Sequence, residues 1–236
     1  MIELAEAAKN LFGIGLTSAQ IAALERYEQE LLEWNSRFNL TAIESPDQVR
    51  LKHFLDSFSC MLALRGTPMK SVIDVGSGAG FPGLPLKIIN QQVRLTLVES
   101  VGKKASFCKH IIQTLKLEDV YVLKERAEAV GQKAEHRERY DWALARAVAS
   151  TPVLLEYLLP LVRVGGMALA MKGAAAPQEA RSGERAMQVL GGQLKSLIPV
   201  ALPGVDDERY LVVIEKFAAT PPVYPRRAGV PAKKPL

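Results

Sequence analysis

Asp74, Gly76, Gly78, Gly80 and Gly83 stand close together directly after the β-branched run Ser71–Val75. Glycines spaced in this way after a strand let backbone come close to a ligand and take up positive φ without steric penalty. The spacing restricts which ligand. A dinucleotide fingerprint begun at Gly76 requires glycine at 81, where Phe81 stands, and a Walker loop requires a Gly-Lys-Ser/Thr ending that is absent. What remains is acid-x-Gly-x-Gly-x-Gly, suited to a ligand whose polar end is an amino acid. Asp74 then belongs beside that ligand, at the carboxyl edge of the first strand.

Further chemistry-bearing residues follow at the ends of later strand-like runs. Glu99 closes Arg94–Val98, 25 residues after Asp74, where a carboxylate can accept both hydroxyls of a ribose. Glu125, Arg126, Ala127 and Glu128 follow a third run, in a place where a loop can close over an adenine ring. Arg146 ends a fourth and Lys172 a fifth. His53 and Asp56 lie three apart on one helical face, as a satisfied core pair or as substrate contacts. Cys60 and Cys108 stand alone among apolar neighbours, without metal-ligand spacing, so two reduced thiols and no structural zinc are expected.

These residues need a scaffold that brings strand ends together. From Ser71 to Lys216 short β-branched runs alternate with helical ones, the βαβ pattern of a parallel sheet covered on both faces. Strands are expected near 71–75, 94–99, 119–123, 140–145, 166–171, 194–200 and 209–217, and helices near 83–90, 101–116, 151–163 and 176–190. Only Ala201–Glu208 separates the last two strands, too short for a helical crossover, so they should pair antiparallel at one edge. Ahead of the sheet, Ile21, Leu24, Tyr27, Leu31, Trp34 and Phe38 recur at helical steps. The chain therefore divides into a helical cap over 1–66, an α/β domain over 67–218 and a Pro-rich tail over 219–236.

The 236 residues carry a formal charge of +5. Arg226, Arg227, Lys233 and Lys234 fall beyond Lys216 in a stretch without an acid, so the remainder carries only about +1. Five of the fourteen prolines lie in the same tail, which reads as a pre-extended cationic strip able to lie along a phosphate backbone. Its removal is expected to weaken binding to such a backbone and leave ligand binding at the glycine loop intact. No apolar stretch approaches the roughly 20 residues of a membrane span, and the N-terminus lacks a secretory pattern; a cytoplasmic address is expected.

In this order and spacing the motifs resemble the Rossmann-like class I methyltransferases that use S-adenosylmethionine. Within them, segments Trp34–Thr41, His53–Ser57, Asp74–Gly83, Leu144–Ala147, Met171–Gly173 and Tyr224–Leu236 are similar to the glucose-inhibited division protein B family, over nearly the whole chain. The resemblance implies a mostly parallel seven-stranded sheet with an antiparallel edge, and methylation of guanine N7 in 16S ribosomal RNA of the small subunit. It places cofactor contacts at Gly76, Phe81, Ala127, Glu128 and Arg146, with Glu99 on the ribose and Asp74 and Gly78 in the same loop.

Arg37, Asn39, His53 and Lys172, with Arg226, Arg227, Lys233 and Lys234 of the tail, are the candidates for RNA contact. The resemblance implies 16S ribosomal RNA or a small-subunit particle as partner, and the protein is expected to act as a monomer without metal. Arg146 is followed by Ala147, Val148 and Ala149, not by the Pro-Pro-aromatic motif of exocyclic amine methylation, and no Pro-Cys nucleophile for cytosine C5 occurs there. Two other readings remain at this level: a non-catalytic RNA-binding assembly factor that keeps the fold, and a small-molecule methyltransferase.

Overall fold

Strands buried on both faces build the centre of the sheet. The computed structural model describes all 236 residues. Strands β1 (Ser71–Val75), β2 (Arg94–Val98), β3 (Val120–Leu123), β4 (Tyr140–Arg146), β5 (Val162–Gly173), β6 (Gly192–Leu202) and β7 (Val205–Lys216) form one sheet in the order β3-β2-β1-β4-β5-β7-β6. The first five are parallel, β7 runs against β5 and β6, and β6 is outermost. Val72, Leu95, Leu97, Trp142, Leu144 and Leu169 point to one face and join a core shared with the N-terminal helices. Ile73, Val75, Ala143, Ala145, Ala168 and Ala170 point to the other. Period-two alternation between two apolar layers is what a sheet covered on both faces requires.

The cap comprises α1 (Ile2–Phe12), α2 (Ser18–Phe38), α3 (Pro46–Val49), a π-helical turn (Arg50–Leu55), α4 (Asp56–Phe58) and α5 (Met61–Leu64). A reciprocal box between Thr17 and Gln20 starts α2, and Asn39 ends it in the left-handed conformation. The π turn winds the chain more widely between α3 and α4. The cap is not a separate globule, since Leu24, Tyr27, Phe54 and Phe58 pack into the same core as Leu97 and Trp142.

On the sheet, α6 (Gly83–Ile89) and α7 (Gly102–Thr114) match the expected helices, whereas α9 (Thr151–Leu158) starts as expected but stops five residues before 163, ahead of β5. The segment expected as one helix over 176–190 is divided at Gly183 into α10 (Ala176–Ser182) and α11 (Glu184–Leu190). Strand β5 starts earlier than expected because Val162 pairs with Tyr140 before a bulge at Gly165 and Gly166 resets the register at Met167. The expected adenine loop is a short helix, α8 (Ala127–Gln132). No helix is long and apolar enough to cross a membrane.

The tail departs most from expectation. It is folded against the domain and ends in a short helix, α12 (Val230–Lys233). Arg226 does not extend toward solvent: its backbone N–H, Nε and Nη2 donate to the carboxylate of Glu156, which is fully buried, at 2.6–2.9 Å. Arg137 Nη1 and Nη2 donate to the carbonyls of Tyr224 and Thr220, and Gln132 donates to that of Pro225. Proline favoured this outcome, because a chain already stiff loses little entropy on docking.

Candidate functional site

The glycine-rich loop leaves β1 at Gly76, with its carboxyl-end neighbours β2 and β4 on either side. Gly78 has φ 59° and open space where a Cβ would stand, so the backbone there faces the site unobstructed. The cap supports the loop from below, where the Tyr27 hydroxyl donates to the Ala79 carbonyl and its ring stacks on Phe81 at 5.3 Å. Asp74 lies beneath the loop and is fully buried; its Oδ2 accepts the Gly83 N–H at 2.8 Å, at the start of α6. The other oxygen, Oδ1, is buried with no partner, as is Ser77 Oγ.

Glu99 is buried at the end of β2, and both oxygens already accept one hydrogen bond, Oε2 from Gly78 N–H at 2.9 Å and Oε1 from Val101 N–H at 2.7 Å. Each oxygen keeps a second lone pair, so the carboxylate both braces the loop and can take two hydroxyls. The bracing role has no counterpart in the sequence reading. A cavity of about 90 Å³ beside it is lined by Gly76, Glu99, Ala127, Glu128, Val148 and Tyr157. A second, of about 260 Å³, opens from Gly76 the other way, past Gly78 and Phe81 to His53 and Arg146. Two compartments meeting at a glycine, one with a ribose-type acceptor and the other above a buried carboxylate oxygen without a partner, fit an elongated cofactor. Such a cofactor joins a nucleoside at one end to an amino acid at the other.

At the far wall Arg146 is held on three sides. Nη1 donates to the Lys52 carbonyl at 2.9 Å and to Asp56 Oδ2 at 3.0 Å, Nη2 donates to His53 Nδ1 at 3.0 Å, and the guanidinium lies over the Phe81 ring at 5.2 Å. Because arginine only donates, His53 Nδ1 carries a lone pair and the ring proton is on Nε2, facing Thr41 Oγ1 at 3.0 Å. Burial, reinforced by the Arg146 charge, lowers the His53 pKa to about 3, so the ring is neutral. Burial raises that of Asp74 to about 7, opposed by the Gly83 hydrogen bond and by Arg146.

Opposite pH dependences of stability follow. The folded pKa of Asp74 exceeds its unfolded value of 3.8, so its contribution is lost as pH rises from there to about 7. That of His53 lies below its unfolded 6.5, so its contribution is lost as pH falls from 6.5 to about 3. In urea titrations the stability gap between wild type and His53→Gln should widen as pH rises toward 6.5, by up to about tenfold in the unfolding constant per pH unit, and be constant above. A gap independent of pH would mean that His53 takes up its proton freely in the folded chain.

Gly76, Gly78, Phe81, Glu99, Ala127, Glu128 and Arg146 thus line the two compartments, and Asp74 underlies them. The Glu128 carboxylate faces the tail, where Oε1 accepts the Gly229 N–H at 2.9 Å. Of the residues considered for RNA, His53 and Lys172 line a third cavity, and Lys172 Nζ pairs with Glu179 at 2.7 Å. Arg37 and Asn39 are exposed at the end of α2, Arg37 beside Glu33 at 3.0 Å. Arg227, Lys233 and Lys234 are exposed on the tail. The site contacts of Tyr27, Thr41 and Arg209 are not legible in the sequence, where Tyr27 belongs to the apolar stripe of the cap, Thr41 to the Trp34–Thr41 segment, and Arg209 to no motif.

The family model described as GidB, rRNA small subunit methyltransferase G, matches residues 20–205. A ribosomal RNA small subunit methyltransferase G of Roseiflexus castenholzii is 51% identical over 225 residues, 95% of either chain. One of Desulforamulus reducens is 45% identical over 235 residues, 100% of this chain and 98% of its own. Among solved structures, a SAM-dependent methyltransferase from Aquifex aeolicus superposes with a TM-score of 0.54 at 13% identity, over 74% of this chain and 96% of its own. TYW2 of P. horikoshii in complex with MeSAdo gives 0.52 at 15%, over 66% and 60%. The distant structures establish the fold. The close relatives span almost its full length, and with them the chain belongs to the rRNA small subunit methyltransferase G family, methyltransferases dependent on S-adenosylmethionine.

Proposed function

We propose that this protein transfers a methyl group from S-adenosylmethionine to N7 of a guanine in 16S ribosomal RNA, acting in the cytoplasm on the RNA or on a small-subunit particle. One observation supports it above the others. The cofactor compartment shares His53, Arg146 and Ala147 with a third cavity of about 380 Å³ whose wall carries Lys52, Lys172 and Arg209, a cationic recess suited to a nucleotide of a polyanion. A small neutral substrate has no use for that charge. Arg227, Lys233 and Lys234 on the docked tail, and Arg37 with Asn39 at the end of α2, are proposed to meet the surrounding RNA; Arg226, committed to Glu156, is not.

Bound S-adenosylmethionine supplies an electrophilic methyl on a sulfonium. Glu99 takes the ribose hydroxyls, Ala127 and Glu128 flank the nucleoside, and the Asp74–Gly78 loop receives the amino-acid end. Guanine N7 carries an exposed lone pair at neutral pH, so no proton need leave before attack. The site is consistent with this: His53 commits its only free lone pair to Arg146, and burial pushes the Cys108 thiol well above its ordinary range, so neither is a base. Arg146, fixed by three partners, aligns the reactants, an effect worth on the order of 7–11 kcal/mol at best.

Single-turnover transfer with saturating RNA and cofactor should therefore be nearly flat from roughly pH 6 to pH 9. Arg146→Ala should lower the rate without adding a titration. A tenfold rise per pH unit would point to an exocyclic amine or hydroxyl target. The function itself is tested by incubating the protein with deproteinised 16S RNA from cells that lack it and mapping the labelled methyl. Binding without transfer, to RNA and to particles alike, would leave an assembly factor as the reading.

A further inference from the structure

The third cavity lies between the π turn with α4 on one side and the carboxyl end of β4 with β5 and β7 on the other. Four of its lining residues are cations, Lys52, Arg146, Lys172 and Arg209, and Asp56 is the one carboxylate among them. Asp56 is 4% exposed. Oδ2 is bonded by Arg146, but Oδ1 lies 3.5 Å from Arg209 Nη1, at the limit of a hydrogen bond. Oδ1 therefore keeps acceptor capacity. Arg146 in turn keeps Nε–H and one Nη2 hydrogen beyond its three bonds, and Arg209 Nε is buried without a partner. Unspent donors and acceptors thus face one another across a recess large enough for a purine.

Selection of the base has to come from this recess. N7 is an acceptor lone pair in adenine as in guanine, so alignment with the cofactor's methyl cannot tell them apart. The other edge can: guanine offers an O6 acceptor followed by N1–H and N2–H₂ donors, whereas adenine offers a donor at N6 and an acceptor at N1. An arginine beside a carboxylate presents donor and then acceptors, the complement of guanine. Adenine would set its N1 lone pair against a buried carboxylate, leaving both unpaired.

Resting on the function proposed above, we propose that Asp56 accepts hydrogen bonds from N1–H and N2–H₂ of the target guanine beside an Arg146 donor to O6, and so determines the choice of guanine. N7 is the neighbour of O6 on the purine. Binding O6 at Arg146, which the recess shares with the cofactor compartment, leaves N7 on the cofactor side. Arg209, its Nη1 3.5 Å from Asp56 Oδ1, orients the carboxylate. The target nucleotide enters the recess unstacked from its neighbours, as chemistry on a base inside folded RNA requires.

The test uses 16S RNA carrying inosine in place of the guanosine that the wild-type protein methylates; inosine keeps N7, O6 and N1–H and lacks only the N2 amine. Wild type should prefer guanosine over inosine by roughly 10- to 100-fold in kcat/KM, the size of one contact to a buried carboxylate. Asp56→Ala should lower transfer to guanosine and bring the ratio close to one, and Asp56→Glu should restore part of it. A wild-type ratio near one overturns the proposal without any variant having to fold. So does a ratio unchanged in Asp56→Ala while both rates fall together, which would show that Asp56 only supports Arg146. If wild type leaves every guanosine of the RNA unmodified, the proposed function itself fails, an outcome distinct from these.

Discussion

Replacing Arg226 with alanine should destabilise the folded chain by about 3 kcal/mol, seen as a lowered midpoint of urea unfolding. Glu156 has no solvent contact, and three donors of one residue supply its hydrogen bonds. Removing the side chain leaves a buried carboxylate facing a single backbone N–H. Breaking a buried pair in this way costs about 3–5 kcal/mol, and the lower figure applies because the Arg226 side chain is 22% exposed. The cost should shrink when Glu156→Gln is already present, since the charge is then no longer stranded. Additive effects of the two substitutions would show that Arg226 acts through the Tyr224 ring or the Lys234 carbonyl instead.

Truncation after Thr220 removes the same pair and more. Pro225 packs on Gly131, and the Gly229 N–H ends on Glu128, a residue that also lines the nucleoside compartment, so the tail secures α8. The truncated chain should be less stable than Arg226→Ala and should also bind S-adenosylmethionine more weakly. Sequence alone implies intact cofactor affinity, because a Pro-rich basic tail reads as a pre-extended strip for a phosphate backbone and not as a support of the domain. Nothing local marks Glu156 as its receptor, 70 residues earlier on an apolar helix.

That contrast marks what was legible. Strands β1 to β4 could be read because each is a short run closed by glycine or by a charged residue, and parallel βαβ order follows from connections long enough to hold a crossover helix. The loop from Asp74 to Gly83 and its partner Glu99 could be read because adjacent parallel strands bring their carboxyl ends together whatever the rest of the chain does. Asp56 and Arg209, separated by 153 residues, meet only because β7 enters the sheet between β5 and β6. The π turn ahead of Asp56 has no composition that distinguishes it from an ordinary helix. The loop was thus visible as a local motif, while the recess beside it depends on pairings that only the folded sheet creates.

Glu99→Ala should reduce S-adenosylmethionine affinity by a hundredfold or more, measured by calorimetry on a variant whose unfolding remains cooperative. Two ribose hydroxyls donating to one carboxylate are charge-assisted hydrogen bonds, each worth about 1.5–3 kcal/mol, and both are lost. The fold should survive, because Leu95, Leu97 and Val98 keep β2 buried without help from the residue that follows it. A second loss is built in, since the Gly78 and Val101 N–H groups lose their acceptor and the glycine loop its brace. The two losses can be separated with a cofactor analogue lacking both ribose hydroxyls. Wild type should bind it far more weakly than the parent, whereas Glu99→Ala should bind parent and analogue alike, and what remains between wild type and variant for the analogue is the contribution of the brace. If wild type holds the two ligands equally well, the ribose is bound elsewhere and Glu99 serves the loop alone.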